Sequence, residues 1–220
     1  MQIVEKFEYI EKDISKTFED YYLEARKVDI IAVSKFQTVQ KITELLDYGH
    51  HIFGENRFQE AQEKWPALKT KYANIELHMI GHMQSNKLKQ ACDLFDVLQN
   101  IDRKSLIDGL VKYRDAQGSI PKIFLQVNTG RETQKGGCLP EDLPELITYA
   151  RDHQIEPEGL MCIPPAEELA VYHFTMLKNL AKNHNISKTS MGMTADYRQA
   201  IICQTDYIRV GTAIFGAREQ

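Results

Sequence analysis

Ile30-Ile31-Ala32-Val33-Ser34-Lys35 is a branched apolar run that closes on a lysine. A run this short and rich in β-branched residues reads as a fully buried parallel strand. A lysine at the carboxyl end of such a strand has its stem in low dielectric and its amine above the sheet. Desolvation there favours the neutral amine, the form that attacks carbonyl groups to give Schiff bases. The plain alternative is a lysine snorkelling at a strand end.

Working outward, the same unit recurs. Val39, Ile42, Leu45 and Leu46 form a helical stripe that Gly49 stops. Strands are read over 30–35, 52–56, 77–81, 95–101, 123–128, 158–163, 188–193 and 207–211, with helices between them. An amphipathic helix is expected first, over 4–26, from Val4, Phe7, Ile10, Ile14, Phe18, Tyr21 and Tyr22. Asp102 is expected to cap one helix, Thr194 or Asp196 another, and 212–217 to make a closing turn. Eight strand–helix repeats in about 190 residues suit a compact closed barrel. The expectation is an α/β fold, a single (β/α)8 TIM barrel with an extra N-terminal helix, spanning one domain over 1–220. An open doubly wound sheet is the alternative, but no strand carries the Gly-x-Gly-x-x-Gly turn of a dinucleotide site.

Composition narrows the function classes. Of 220 residues 43% are hydrophobic, enough to bury a sizeable core, and no linker or repeat divides them. The net charge of −4 provides no basic field for nucleic acid or an anionic membrane. The basic stretch 64–71 reads as a solvated helix face. There is no run of eighteen apolar residues, and the acidic N-terminal stretch is unlike a signal peptide. The four cysteines form no C-x-x-C pair. Cys92, Cys162 and Cys203 sit in apolar contexts, whereas Cys138, after Gly136-Gly137, reads as more exposed. A cytoplasmic protein fits.

A barrel gathers its site from the carboxyl ends of its strands. Those ends here include Lys35, Glu55-Asn56, Gly81-His82, Asn100, Asn128, Met161, Met193-Thr194 and Arg209 to Gly211. Alternate strand residues share a face, so Arg209 and Gly211 point together into the mouth. Gly211-Thr212 and Gly192-Met193-Thr194-Ala195-Asp196 follow strands eight and seven, where barrels bind phosphate on backbone N–H groups. Glu55 reads as a general base or as a structural partner for a cation. His78 and His82 read as structural, since their spacing would suit a metal only on a helix. Gln84 or Ser85 reads as a cap. A lysine amine, an arginine and a phosphate cup on one rim fit a molecule with an aldehyde at one end and a phosphate at the other. Pyridoxal 5'-phosphate is such a molecule; a Schiff-base aldolase acting on a sugar phosphate also fits.

Five motifs add to this reading. Ala32 to Lys35, Phe53 to Asn56, His78-Met79-Ile80-Gly81-His82-Met83-Gln84-Ser85-Asn86-Lys87, Gly192 to Asp196 and Arg209 to Arg218 closely resemble the pyridoxal-phosphate homeostasis proteins. These are single-domain relatives of the alanine racemase N-terminal barrel. The resemblance implies a protein that holds pyridoxal 5'-phosphate as a lysine aldimine on Lys35 and serves vitamin B6 homeostasis. Thr194, Gly211 and Thr212 would bind phosphate, with the Met193 backbone nearby. Arg209 would face the pyridine nitrogen, and Asn56, His78, Ile80 and Met161 would line the ring pocket. Phe36-Gln37-Thr38 departs from the small, proline-containing stretch usual after the lysine, and Thr194 replaces a serine.

The resemblance also implies little catalysis. Alanine racemases carry a second domain that supplies a catalytic tyrosine, and this chain ends at Gln220. A monomer that passes cofactor to pyridoxal-phosphate-dependent apo-enzymes is expected. The alternative is a racemase or lyase, for which His82 and Tyr197 are the candidate second acid/base groups.

Overall fold

The run around Ile31 forms β1 (Asp29–Val33), and seven strands follow: β2 (Ile52–Glu55), β3 (Glu76–Met79), β4 (Val97–Ile101), β5 (Lys122–Val127), β6 (Gly159–Cys162), β7 (Lys188–Met193) and β8 (Tyr207–Val210). The computed structural model describes residues 2–216. All neighbouring strands are parallel, and β8 pairs with β1, Ile30 opposite Ile208, so the sheet closes on itself. Helix α1 (Ile3–Asp20) precedes the barrel. The connecting helices are α2 (Val39–Tyr48), α3 (Phe58–Lys71), α4 (Leu88–Leu94), α5 (Lys104–Gln117), α6 (Leu143–Asp152), α7 (Ala170–Asn183) and α8 (Tyr197–Ile202). A 3-10 turn, Ser85–Lys87, leads into α4, and α9 (Thr212–Phe215) follows β8. The fold is the (β/α)8 barrel that the alternation implies. Ala217 of the expected closing turn, and Arg218 of the last motif, lie outside the described residues.

Two cores form because strand side chains alternate. Outward residues such as Ala32, Phe53 and Leu77 pack against the helices. Inward Ile31, Val97, Phe124, Met161 and Tyr207 fill the barrel. Gly159 makes room there, since a Cβ on it would lie 2.2 Å from Phe124 Cε1. No helix among the described residues is long and apolar enough to cross a membrane.

Several local expectations change. Helix α1 stops at Asp20 rather than 26: Tyr22 takes φ +53° and the Leu23 N–H bonds back to Phe18 O at 2.9 Å. Asp13 on α1 accepts from Tyr197 Oη at 2.6 Å and Arg198 Nε at 2.7 Å, which docks this helix on α8. Asp102 is not a cap; it accepts from Arg103 Nη1 at 2.6 Å and from the Gly137 N–H at 3.0 Å. Asp196 takes the N-cap position of α8 as expected, but its side chain accepts from the Met193 N–H at 2.6 Å rather than from the helix. Cys138 is buried, because its N–H bonds to Gln126 O and folds the glycine loop onto β5, whereas Cys203 is half-buried. Lys64 is not on a solvated face. It is buried at the β2–α3 contact, where it meets a carboxylate.

Candidate functional site

The turn carrying Lys35 is held from below. Strand β1 ends at Val33, and Ser34 extends the ladder through its N–H to Gly54 O at 3.0 Å. The Gln37 N–H closes back on Ser34 O at 3.1 Å. Between them Phe36 takes φ +61°, a left-handed conformation that costs a side-chain-bearing residue roughly 1–2 kcal/mol. Helix α3 fixes this turn. Lys64 Nζ donates to Ser34 O at 3.0 Å and pairs with Glu55 at 2.7 Å and Glu60 at 2.8 Å. Glu60 also accepts the Phe36 N–H. Glu55 accepts from Ser34 Oγ at 2.8 Å and Trp65 Nε1 at 3.1 Å. Glu55 is therefore the structural partner of a cation. Burial pushes its carboxyl up, against the pull of Lys64.

Above the turn lies a cavity of about 860 Å³ at the carboxyl ends of the strands. Lys35, Asn56 and Ile80 line one side. Met193, Thr194, Arg209, Gly211 and Thr212 line the other. Helix α9 begins at Thr212, so the first N–H groups of that turn have no intrahelical acceptor. A Cβ on Gly211 would lie 3.1 Å from Val33 O, which ties the cavity floor to a residue without a side chain. Asn56 Oδ1 is a buried acceptor with no hydrogen-bond partner among the described residues.

Arg209 is 3% exposed. Its Nη1 donates to Ser190 Oγ at 2.9 Å and its Nη2 to Cys162 O at 2.7 Å. Burial pulls its pKa down, yet a guanidinium stays charged in proteins. No carboxylate forms an ion pair with it among the described residues. A buried cation with only neutral acceptors suits an electron-rich ligand atom.

His78 and Met161 do not line this cavity. Both lie inside the barrel beneath it, His78 against Tyr207 and Met161 against Phe124 and its neighbours. They are one pleat too deep. Two residues further along the same faces, Ile80 and Ile163 reach the cavity wall. Sequence reasoning missed Ile163, although the period-two rule points to it. It also missed Val33, at the end of β1, and Gly216, whereas Gln37 and Ala195 line the cavity from the turns after Lys35 and β7 that the sequence had singled out. Of the candidate acid/base groups, Tyr197 is bound to Asp13 on the outer ring. His82 lines a neighbouring cavity of about 450 Å³ with Arg57 and Lys87. Gln84 takes the N-cap position of the 3-10 turn after β3 without a side-chain capping bond, and Ser85 Oγ accepts from Arg103 at 3.0 Å.

Comparison with known proteins agrees with this geometry. The family described as "Alanine racemase, N-terminal domain" matches residues 20–219. A "Pyridoxal phosphate homeostasis protein" of Haemophilus influenzae is 33% identical, over 99% of this chain and 97% of its own length. PipY of Synechococcus elongatus PCC7942, solved without PLP, superposes with a TM-score of 0.86 at 31% identity, covering 98% of this chain and 100% of its own. PipY solved with PLP bound gives 0.75 at 30% identity, over 92% of this chain and 100% of its own. Alanine racemase of Clostridium difficile shares the fold, with a TM-score of 0.71 at 12% identity, over 95% of this chain and 57% of its own. The chain belongs to the pyridoxal phosphate homeostasis protein family, within the alanine racemase N-terminal barrel group.

Proposed function

We propose that this cavity binds pyridoxal 5'-phosphate through Lys35, and that the protein holds and delivers the cofactor inside the cell with little catalysis of its own. One observation carries the reading. A strand-end lysine, a buried arginine without a carboxylate and two threonine hydroxyls beside a free helix start share one cavity. The names of the relatives and the PLP-bound PipY structure support it.

Pyridoxal phosphate supplies an aldehyde that bonds reversibly to a lysine amine, and a ring that can delocalise charge. The chain's residues fit the group. Thr194 and Thr212 offer hydroxyl donors for phosphate, and the start of α9 offers backbone N–H groups. The orphan Asn56 Oδ1 can accept from the ring hydroxyl. Arg209 would present a permanent cation to the ring nitrogen, which would oppose protonation there and make the ring a poor electron sink. Broad amino-acid chemistry is thereby disfavoured. The placement of Tyr197 and His82 outside the cavity points the same way, since racemisation needs a second acid/base group opposite Lys35. Pyridoxal-phosphate-dependent apo-enzymes are the proposed recipients.

Absorption titration with pyridoxal phosphate tests the binding, and α-hydrogen exchange of amino acids in deuterated water tests the catalysis. The expected result is a saturable band that Lys35→Ala abolishes, with no exchange at enzymatic rates. No band in the wild type overturns the binding reading. Exchange with ordinary turnover overturns the non-catalytic one.

A further inference from the structure

Below the cavity, four hydrogen bonds cross the barrel interior in series. Arg209 Nη1 meets Ser190 Oγ at 2.9 Å, and Ser190 Oγ meets Gln99 Oε1 at 2.7 Å. Gln99 Nε2 meets His78 Nδ1 at 2.8 Å, and His78 Nε2 meets Glu76 Oε1 at 2.8 Å. Ser190, Gln99 and His78 are each 0% exposed. The strands explain the juxtaposition. These residues project inward from β8, β7, β4 and β3, so the chain spans the barrel rather than running along one strand.

The two ends set its direction. A guanidinium carries donors and no acceptor, and a carboxylate carries acceptors and no donor. Ser190 Oγ must therefore accept from Arg209 and give its own proton to Gln99 Oε1. That turns the Gln99 amide nitrogen toward His78, and an amide nitrogen only donates. His78 Nδ1 must then be bare, with the ring proton on Nε2 facing Glu76. Every member donates in one direction and none is left unsatisfied. Reversing any link puts two donors or two acceptors face to face in the barrel interior, where an unmet polar group is costly.

We propose that Ser190, Gln99 and His78 are positioning residues for Arg209, forming with Glu76 a one-way hydrogen-bond chain that fixes how the guanidinium faces the cavity. His78 thus acts on the site through Gln99 and Ser190, from beneath, and not as a wall of the pocket. The chain leaves Arg209 with one acceptor on Nη1 and one on Nη2, from Ser190 and Cys162 O. Its orientation is set before any ligand arrives. The consequence for cofactor binding rests on the reading of the cavity as a pyridoxal phosphate site; the chain direction does not.

The test has two arms. In the cofactor-free protein labelled with ¹⁵N-histidine, His78 is assigned by comparison with His78→Gln. The expected state at neutral pH is the neutral ring protonated at Nε2, and Arg209→Met is expected to keep that tautomer, since Glu76 still accepts from Nε2. In the second arm, absorption titration follows pyridoxal phosphate affinity. Ser190→Ala and Gln99→Leu should weaken binding roughly 10- to 100-fold, the scale of a hydrogen bond to a charged group. Ser190→Thr, which keeps the hydroxyl, should rescue it. Wild-type His78 protonated at Nδ1, or as an imidazolium, overturns the proposal. So do Ser190→Ala and Gln99→Leu proteins that bind cofactor like the wild type. If the wild type takes up no pyridoxal phosphate, the cofactor reading fails by itself, and the histidine spectrum still decides the chain.

Discussion

Replacing Lys64 with methionine removes the cation that joins Glu55, Glu60 and the Ser34 carbonyl beneath the Lys35 turn. The Lys64 side chain is 10% exposed and that of Glu55 0%, so the substitution strands a carboxylate away from water. Removing one partner of a buried pair costs about 3–5 kcal/mol. Total stabilities are only about 5–15 kcal/mol. For a chain of this size each kcal/mol moves the Tm by about 2–4 °C, so a fall of roughly 6–20 °C is expected. Urea unfolding followed by tryptophan fluorescence is a direct assay, because the single tryptophan, Trp65, donates to Glu55 Oε1 at 3.1 Å. Two controls sharpen it. Adding Glu55→Gln should recover most of the loss, since the stranded charge is gone. Burial pushes the Glu55 carboxyl up, so it takes a proton readily once Lys64 is absent. The deficit of the single variant should therefore shrink as the pH falls. A loss below about 1 kcal/mol, the range of an exposed pair, would refute the reasoning. A double variant no more stable than the single one would refute it equally.

Other perturbations probe the barrel and the cavity separately. Gly159→Ala sets a Cβ 2.2 Å from Phe124 Cε1 and 2.7 Å from the Lys188 carbonyl oxygen; thermal unfolding should show a loss of about 1–3 kcal/mol. His50 donates to Ile52 O at 2.7 Å, and burial holds its pKa down to about 4 against an ordinary 6.5. The unfolded chain therefore binds more protons between those values, so stability should fall as pH drops from 6.5 to 4. His50→Gln should flatten that part of the urea-midpoint profile. Thr194→Val and Thr212→Val keep the shape but lose the hydroxyl, and each should weaken pyridoxal phosphate binding roughly tenfold with little change in Tm. Unchanged affinity in both would remove the phosphate assignment.

The alternation of apolar runs and helical stripes was enough to read the barrel, because closure follows from eight strand–helix units of similar length. The cavity was legible where residue type and strand end coincide, as at Lys35, Thr194 and Arg209. Depth was not. His78 and Met161 share faces with Ile80 and Ile163, and alternation gives the face but not the layer. Lys64 looked like part of a charged helix face, since nothing local to it reveals that Glu55 lies across the β2–α3 contact. Cys138 looked exposed because a glycine loop gives no sign that it folds back onto β5. The Ser190–Gln99–His78 chain joins three strands, and no spacing in the sequence announces it.

Borohydride reduction of the protein after exposure to pyridoxal phosphate, followed by peptide mass spectrometry, tests the central claim about Lys35 most directly. The account predicts one dominant pyridoxyl adduct, on the peptide carrying Lys35, and its loss in Lys35→Ala. Adducts scattered over surface lysines, with Lys35 unmodified, would contradict it.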